Sequence, residues 1–574
     1  MYILGLSAFA HESSCSLIKD GEIRVVLEEE RFNREKHTSK FPINAIEQCL
    51  SIEGITISEI DKITFFWHPM KEVTGNIIHV IRYLPESLNL LRTHSGSDEW
   101  SFLKRFWSKQ NIGRKIKNHF GLNKTPVINY IEHPLSHAGS AFFVSPFHDA
   151  AILTIDGRGE STTTMLAVGR ANKIEKIKEI KVPHSLGHLY AAVTDHLGFK
   201  PFFDEWKVMG MAAYGKNTYI NDFKDIVSFK EDGGFQLNLK YFKFHTHSRD
   251  VWLSDSFAER YGPKRRHDDP YDQRHFDLAF ALQSLVEKAG VILANHLHHA
   301  TGLKNLCMNG GVVLNCLMNK KIIEKTPFEN FFFQPIASDA GTSLGSALYY
   351  YHHVLNNNSR DQFKSASLGC EFNNDQIEQI MNEKKLKYVK SNNIAKDAAQ
   401  YIADGKIVGW FQGKMEAGPR ALGHRSITVN PMDPDMKKRL NDRVKKREFF
   451  RPFAPSVLEE RVDEYFVMPK GQLSPFMILV GEVREDKKNV IPAVTHADGT
   501  ARVHTVNRDI NPLYWELIRE FEKITGVPVI LNTSFNENEP IVRTPEEALN
   551  CFLRTDFDVL SIGDYIVLKK DNRV

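Results

Sequence analysis

The chain has 574 residues, 42% of them hydrophobic and 25% charged, which predicts two or three domains of ordinary globular composition. Its 74 basic and 71 acidic side chains leave a net charge of +3, so no global field marks a nucleic-acid or membrane-surface protein. Six cysteines with no CxxC pair argue against a zinc ribbon, the opening MYILGLSAFAHESS lacks the basic start of a signal peptide, and no apolar run reaches bilayer length; the protein is expected in the cytoplasm, without nucleic-acid or membrane partners.

In chain order, residues 2–7 (YILGLS), 14–19 (SCSLIK) and 22–28 (EIRVVLE) predict a β-meander turning at Asp20-Gly21. His11 follows the first strand, beside Glu12 and Ser13. An imidazole titrating near neutrality beside a hydroxyl can serve as a general base; a loop histidine can equally be solvated. In His133-Pro134-Leu135-Ser136-His137 the two histidines are i and i+4 on one helical face, with Pro134 suited to a first turn. They can offer two nitrogens to one metal, with Asp156 and Asp339 as further ligands, favouring iron(II), manganese or zinc. The alternative is a surface helix with two unrelated histidines.

A second strand–turn–strand set spans 150–168, and 276–300 reads as a helix. The glycine junctions Asn309-Gly310-Gly311 and Asp339-Ala340-Gly341-Thr342 let backbone amides approach phosphate or adenosine. Neither matches a Walker loop or a GxGxxG fingerprint, and both are also what ordinary turns look like. Two strand–Gly–Asp sets around a helical middle are what a duplicated actin/hexokinase-type ATPase fold looks like, although Gly/Asp turns after strands are common in other folds. Polarity rises over 355–375, the candidate linker. It divides the chain into domains 1–355 and 356–574.

Beyond the linker come a helix (394–405), a strand (406–411) and the loop GKMEAGPRALGHRS, which packs Lys414, Arg420, His424 and Arg425 among small residues. Arg443, Lys445, Lys446, Arg451 and Arg502 follow. Guanidinium forks and exposed amides suit an oxyanion ligand, against the alternative of a solvated basic face. Asn532-Thr533-Ser534-Phe535-Asn536 closes an apolar run and fits either phosphate or ribose binding or a simple Asx/ST turn.

Together the motifs ILGLSAFAHESS, VLEEERFNREKH, HPLSHAGSAFF, LTIDGRGE, WKVMGMAAYG, CMNGGVVLN, IASDAGTSLGSAL, GKMEAGPRALGHRS, REFFRPFAPSV, HADGTARVHTV and LNTSFNENEPIVRTPEEA resemble the bacterial carbamoyltransferase family of nodulation protein U and the cephamycin and tobramycin carbamoyltransferases. The resemblance covers essentially the whole chain. It implies an α/β architecture, with an N-terminal actin-like ATPase domain similar to TsaD followed by a domain similar to YrdC, an open twisted sheet that binds ATP. It also implies that the C-terminal domain makes carbamoyl adenylate from carbamoyl phosphate and ATP, and that an acceptor hydroxyl takes the carbamoyl group at the N-terminal domain.

Carried over by position, His133, His137, Asp156 and Asp339 match the metal set, iron(II) in relatives, with magnesium accompanying ATP. His11, Lys36 and Arg420 match catalytic positions. Lys207, Asn309, Gly310, Gly311, Lys446, Arg451, Arg502, Asn532 and Ser534 match positions for ATP and carbamoyl phosphate, with Lys446 favoured within the run Arg443–Lys446. Glu12 stands where relatives often have Asp, and His504 where Gln is expected. Trp206 and the insertion 261–270 are chain-specific and are expected to shape the acceptor site. The acceptor is a hydroxyl-bearing small molecule or saccharide, which the sequence does not name, and a homodimer is expected. Two enzyme alternatives are a tRNA threonylcarbamoyl-type modification enzyme, which the weak charge disfavours, and a hydrogenase-maturation carbamoyltransferase, whose acylphosphatase and zinc modules are missing here. A non-catalytic ATP-binding regulatory protein would have lost the metal and phosphate ligands that are present.

Overall fold

The computed structural model describes residues 1–92, 102–247 and 249–572, a mixed α/β structure. It divides into two compact units, one of residues 1–29 and 37–363, the other of residues 30–36 and 364–574.

The first unit contains two five-stranded sheets of the same design. In one, β1 (Tyr2–Ser7), β2 (Ser14–Lys19) and β3 (Glu22–Glu28) form an antiparallel meander, and β4 (Lys62–Phe65) and β5 (Ile128–Tyr130) add in parallel beside β1, giving the order β3-β2-β1-β4-β5. Asp20 and Gly21 both take positive φ, 51° and 89°, the conformation that matches a two-residue hairpin turn to the twist of its strands. The second sheet repeats the pattern with β6 (Asp149–Ile155), β7 (Thr162–Arg170) and β8 (Lys173–Lys181) as the meander. A small hairpin, β9 (Val227–Phe229) and β10 (Phe235–Leu237), stands apart, and β11 (Asn305–Asn309) and β12 (Asn330–Phe333) are the parallel additions, in the order β12-β11-β6-β7-β8.

Two helices pack against each other in this unit's core. Every residue of His133–Phe142 is buried, as is every residue of Thr342–Tyr349. They touch through glycine: a Cβ on Gly345 would lie 1.7 Å from the Ser136 carbonyl oxygen, and one on Gly139 would lie 2.6 Å from the Gly345 carbonyl oxygen. Only hydrogen at both positions permits this backbone approach. The alternative of a surface helix carrying two unrelated histidines fails, because this helix lies in the core. The long helix Gln273–Thr301 starts three residues before the expected 276 and is closed by Gly302 in the left-handed region, a glycine C-cap.

The second unit is built on one ten-stranded mixed sheet. Its strands are β13 (Val389–Lys390), β14 (Val408–Phe411), β15 (Arg425–Val429), β16 (Ala454–Leu458), β17 (Phe466–Val467), β18 (Leu479–Val483), β19 (Thr500–Val506), β20 (Val529–Ser534), β21 (Val559–Ile562) and β22 (Tyr565–Leu568). Their order is β13-β22-β21-β14-β15-β20-β16-β19-β18-β17. The segment Glu30–Lys36 belongs here although it follows β3 in the chain. Arg31 is buried and donates to the Gly418 carbonyl at 2.8 Å, and Arg34 donates to the carbonyls of Pro540 and Ile541 and pairs with Glu547 at 2.9 Å. No helix among the described residues is long and apolar enough to cross a membrane.

Candidate functional site

His133 and His137 lie one turn apart, and the end of β6 and the turn before Thr342–Tyr349 bring Asp156 and Asp339 to them. His133 Nε2 is 2.9 Å from Asp156 Oδ2, 3.1 Å from His137 Nε2 and 3.5 Å from Asp339 Oδ1. His137 Nε2 is 3.7 Å from each carboxylate. Burial opposes charge on His137, yet Asp156 and Asp339 outweigh it and raise its pKa to about 9; burial likewise opposes the Asp156 charge, which the two histidines hold well below the usual carboxylate range.

The surroundings orient these donors. Asn309 Nδ2 donates to the His137 carbonyl at 2.8 Å and to Ser140 Oγ, which leaves its Oδ1 to accept from Gly310 N at 2.6 Å and from His137 Nδ1 at 3.2 Å. Asn309 Oδ1 keeps a proton on Nδ1, so when a cation displaces the second proton it is Nε2 that presents a lone pair to the cluster. Gly310 has φ 102°, and a Cβ there would lie 2.3 Å from the Ile155 carbonyl oxygen. Gly311 N donates to Asp156 Oδ1 at 3.1 Å. The polar atoms of Asn309, Gly310 and Gly311 thus serve His137 and Asp156. Glu160 supplies the missing helix cap, accepting from His133 N at 3.0 Å and His68 N at 2.7 Å. Two imidazoles and two carboxylates, converging in a buried place with one tautomer set by an amide, fit a divalent ion of borderline or hard character.

Beside this cluster, His11 N lies 3.5 Å from Asp339 Oδ2. The His11 ring stacks on His37, with centroids 4.8 Å apart, and Phe203 meets both edge-on. His37 Nδ1 lies 2.7 Å from Glu12 Oε1. Burial opposes charge on Glu12, but His37 and His11 hold its carboxyl down at about 2. Burial lowers the His11 pKa, against the pull of Glu12. Glu12 thus reaches His37, a partner that sequence reasoning left without a role. Lys207 pairs with Asp204 at 3.0 Å and sits over Phe199; it was expected to hold nucleotide.

In the second unit, cations gather around the end of β20. Burial lowers the Arg447 guanidinium well below its usual range, and Arg451 and Arg502 lower it further; Arg447 Nη1 reaches Thr533 Oγ1 at 3.4 Å. Burial also depresses Lys445, with Arg447, Lys36 and Arg451 adding repulsion. Its Nζ donates to the carbonyls of Ser534 and Asn536 and to Asn536 Oδ1 at 2.7 Å. Crowding by protein lowers Lys36 to about 8; Glu30 resists, and Arg447, Arg451 and Arg31 push it down.

Lys446 was the favoured member of its run, but the structure turns it outward. Its side chain is 69% exposed, 3.7 Å from Glu537. The physical reason is its left-handed backbone, φ 44°, which closes the preceding helical turn and reverses side-chain direction between neighbours. Lys445 and Arg447 point inward instead. Arg443 is engaged by Asp556 and Asp558.

Arg420 lies half-buried in the loop between β14 and β15, which winds around one carboxylate. Glu416 Oε1 accepts from the amides of Leu422, His424 and Arg425 at 2.8–3.1 Å. This lone acid in a basic loop was a usable signal that sequence reasoning passed over. Arg425 is fully buried, donates to the carbonyls of Gln412, Gly413 and Cys370, and lies 3.7 Å over the Phe411 ring; its role is structural. Asn532 is buried and donates to the Ala421 carbonyl and Ser456 Oγ, both at 3.0 Å, while Ser534 Oγ donates to Asn536 Oδ1 at 2.8 Å. His504 Nδ1 bonds Ser456 Oγ at 2.8 Å, and burial pushes its pKa to about 3, so it is a neutral member of the same network.

Two family models match the chain. The family model described as carbamoyltransferase N-terminus matches residues 2–348, and that described as carbamoyltransferase C-terminus matches residues 399–569. An uncharacterized protein of Synechocystis sp., sll1178, is 39% identical over 99% of this chain and 97% of its own. Nodulation protein NolNO of Sinorhizobium fredii is 38% identical over 98% of this chain and 80% of its own. Nodulation protein U of Bradyrhizobium diazoefficiens is 25% identical over 93% of this chain and 92% of its own. The chain belongs to the carbamoyltransferase family and is a carbamoyltransferase.

Proposed function

We propose that the protein is an ATP-dependent O-carbamoyltransferase that works through carbamoyl adenylate. The observation that carries this reading is the crowding of Lys36, Lys445, Arg447, Arg451 and Arg502 in one unit. Like charges brought together and partly desolvated repel one another, and polyanionic phosphates relieve that repulsion. Carbamoyl phosphate loses its phosphate to water, giving carbamate; a carbamate oxygen displaces pyrophosphate from the ATP α-phosphorus, giving carbamoyl adenylate. Arg420, on the loop wound around Glu416, is assigned to the phosphates with Arg451 and Arg502.

The acceptor hydroxyl, on a small molecule or a saccharide, then attacks the carbamoyl carbon in the first unit. Its proton goes to His11, and AMP leaves. His133, His137, Asp156 and Asp339 would hold a divalent ion, iron(II) in this reading, which when bound supplies Lewis-acid stabilisation of negative charge on the adenylate. The doubled sheet order supports an actin-type, TsaD-like fold for the first unit; a YrdC-like fold is the corresponding reading of the second. The protein is taken to work in the cytoplasm.

The test is release of phosphate and pyrophosphate from ATP, magnesium and carbamoyl phosphate without acceptor. Carbamoyl-phosphate-dependent pyrophosphate release is expected, falling about 10- to 100-fold or more in Arg420→Ala, the size of a lost charge-assisted hydrogen bond. Absence of pyrophosphate from folded, metal-supplied protein would sink the adenylate mechanism.

A further inference from the structure

The helix Pro69–Arg82 turns its polar side to the protein and its apolar side to water. At about 100° per residue, Glu72, Asn76 and His79 share one side. Glu72 is buried and accepts from Trp67 Nε1 at 3.0 Å and Lys109 Nζ at 2.7 Å. Asn76 accepts from Arg158, and His79 Nε2 donates to the His245 carbonyl at 2.7 Å. On the opposite side Met70, Ile77, Ile78 and Ile81 are 55%, 53%, 55% and 64% exposed. Leu84 and Leu88 just beyond, and Trp107 on the neighbouring helix Phe102–Gln110, are 51%, 46% and 61% exposed. Of the helix's own residues only Pro69 and Glu72 are buried.

A helix of this length is marginal in water and ordinarily draws its stability from packing an apolar face. Here that face has nothing against it among the described residues. The seven side chains present roughly 700 Å² of apolar surface, more than the largest patch of a typical monomer and close to the ~800 Å² per partner of a stable interface.

We propose that a second copy of this chain docks on this face, the two Pro69–Arg82 helices packing antiparallel across a twofold axis. With the axis between Ile77 and Ile78, these two meet each other across it and Thr74 meets Ile81 of the second copy. The stripe is its own complement, as an isologous interface requires. Lys71 and Arg82 lie on its flank, where a polar rim belongs.

Sedimentation of the full chain at micromolar concentration is expected to give twice the chain mass. Ile77→Asp and Ile81→Asp replace exposed residues, so folding and pyrophosphate release are expected to survive while dimerisation weakens about thirtyfold or more. All six native cysteines are buried, so Ile78→Cys adds a lone accessible thiol near the axis. Mild oxidation is expected to give a disulfide-linked dimer, and Val127→Cys, at a position 79% exposed, is not. A monomeric wild-type chain, including one that binds a membrane or another protein through this face, overturns the proposal. So does a dimer untouched by the Ile77→Asp, Ile81→Asp double variant, or an Ile78→Cys thiol that links no better than Val127→Cys.

Discussion

Lys445 and Lys446 are neighbours with opposite surroundings. Lys445 is fully buried and spends its three protons on Ser534 and Asn536, while Lys446 stands in solvent. Lys446→Met is therefore expected to leave pyrophosphate release within about twofold and stability within about 0.5 kcal/mol. Lys445→Met strands buried acceptors and is expected to cost about 1–3 kcal/mol, with loss of pyrophosphate release; urea unfolding and the release assay check both. The sequence marked the basic run, but its favoured member, Lys446, is the one that stands in solvent. Which lysine turns inward depends on one left-handed residue, and nothing in the composition of the run announces it. Glu416 was legible in principle, since an acid surrounded by glycines and cations is a natural partner for backbone amides.

At the scale of the element, the i, i+4 histidines were readable because helical periodicity is a local property. Their burial was not, because it depends on a second helix about 200 residues away. Gly345 makes that contact possible, and a methyl group there would overlap the Ser136 carbonyl. Gly345→Ala is expected to push the helices apart, destabilising by about 2–4 kcal/mol and lowering bound metal, measured by thermal unfolding and by metal analysis of the purified protein. Glu160 makes the same point: it caps His133–Phe142 from a loop after β6, so no capping residue stands where local rules look for one. The helix Pro69–Arg82 has its amphipathic stripe in the sequence, but which side faces solvent is a tertiary fact.

At the scale of the whole molecule, the chain divides its polar chemistry between two units, a histidine–aspartate cluster in one and a cation cluster in the other. The division predicts separable losses. His137→Ala is expected to remove the bound divalent metal, read by elemental analysis, while pyrophosphate release with added magnesium stays within about twofold of wild type. Parallel loss of both would mean the two clusters act as one centre. The segment Glu30–Lys36 complicates any linear account, since Lys36 joins Arg447 and Arg451 although it is more than 400 residues from them in the chain.

The sequence by itself determined the α/β class, the first meander with its Asp-Gly turn, the histidine pair on one helical face and, through its ordered motifs, the family. These follow from local periodicity, from turn chemistry and from motif order, all of which are written along the chain. Only the tertiary structure decided that the histidines of the expected set with Asp156 and Asp339 are buried, that Asn309, Gly310 and Gly311 serve the same cluster, that His37 holds Glu12, and that Lys445 and Arg447 rather than Lys446 face the cation cluster. Each of these depends on the distance and direction between side chains far apart in sequence, and those are set by close backbone approaches and by burial, which no window of the chain contains.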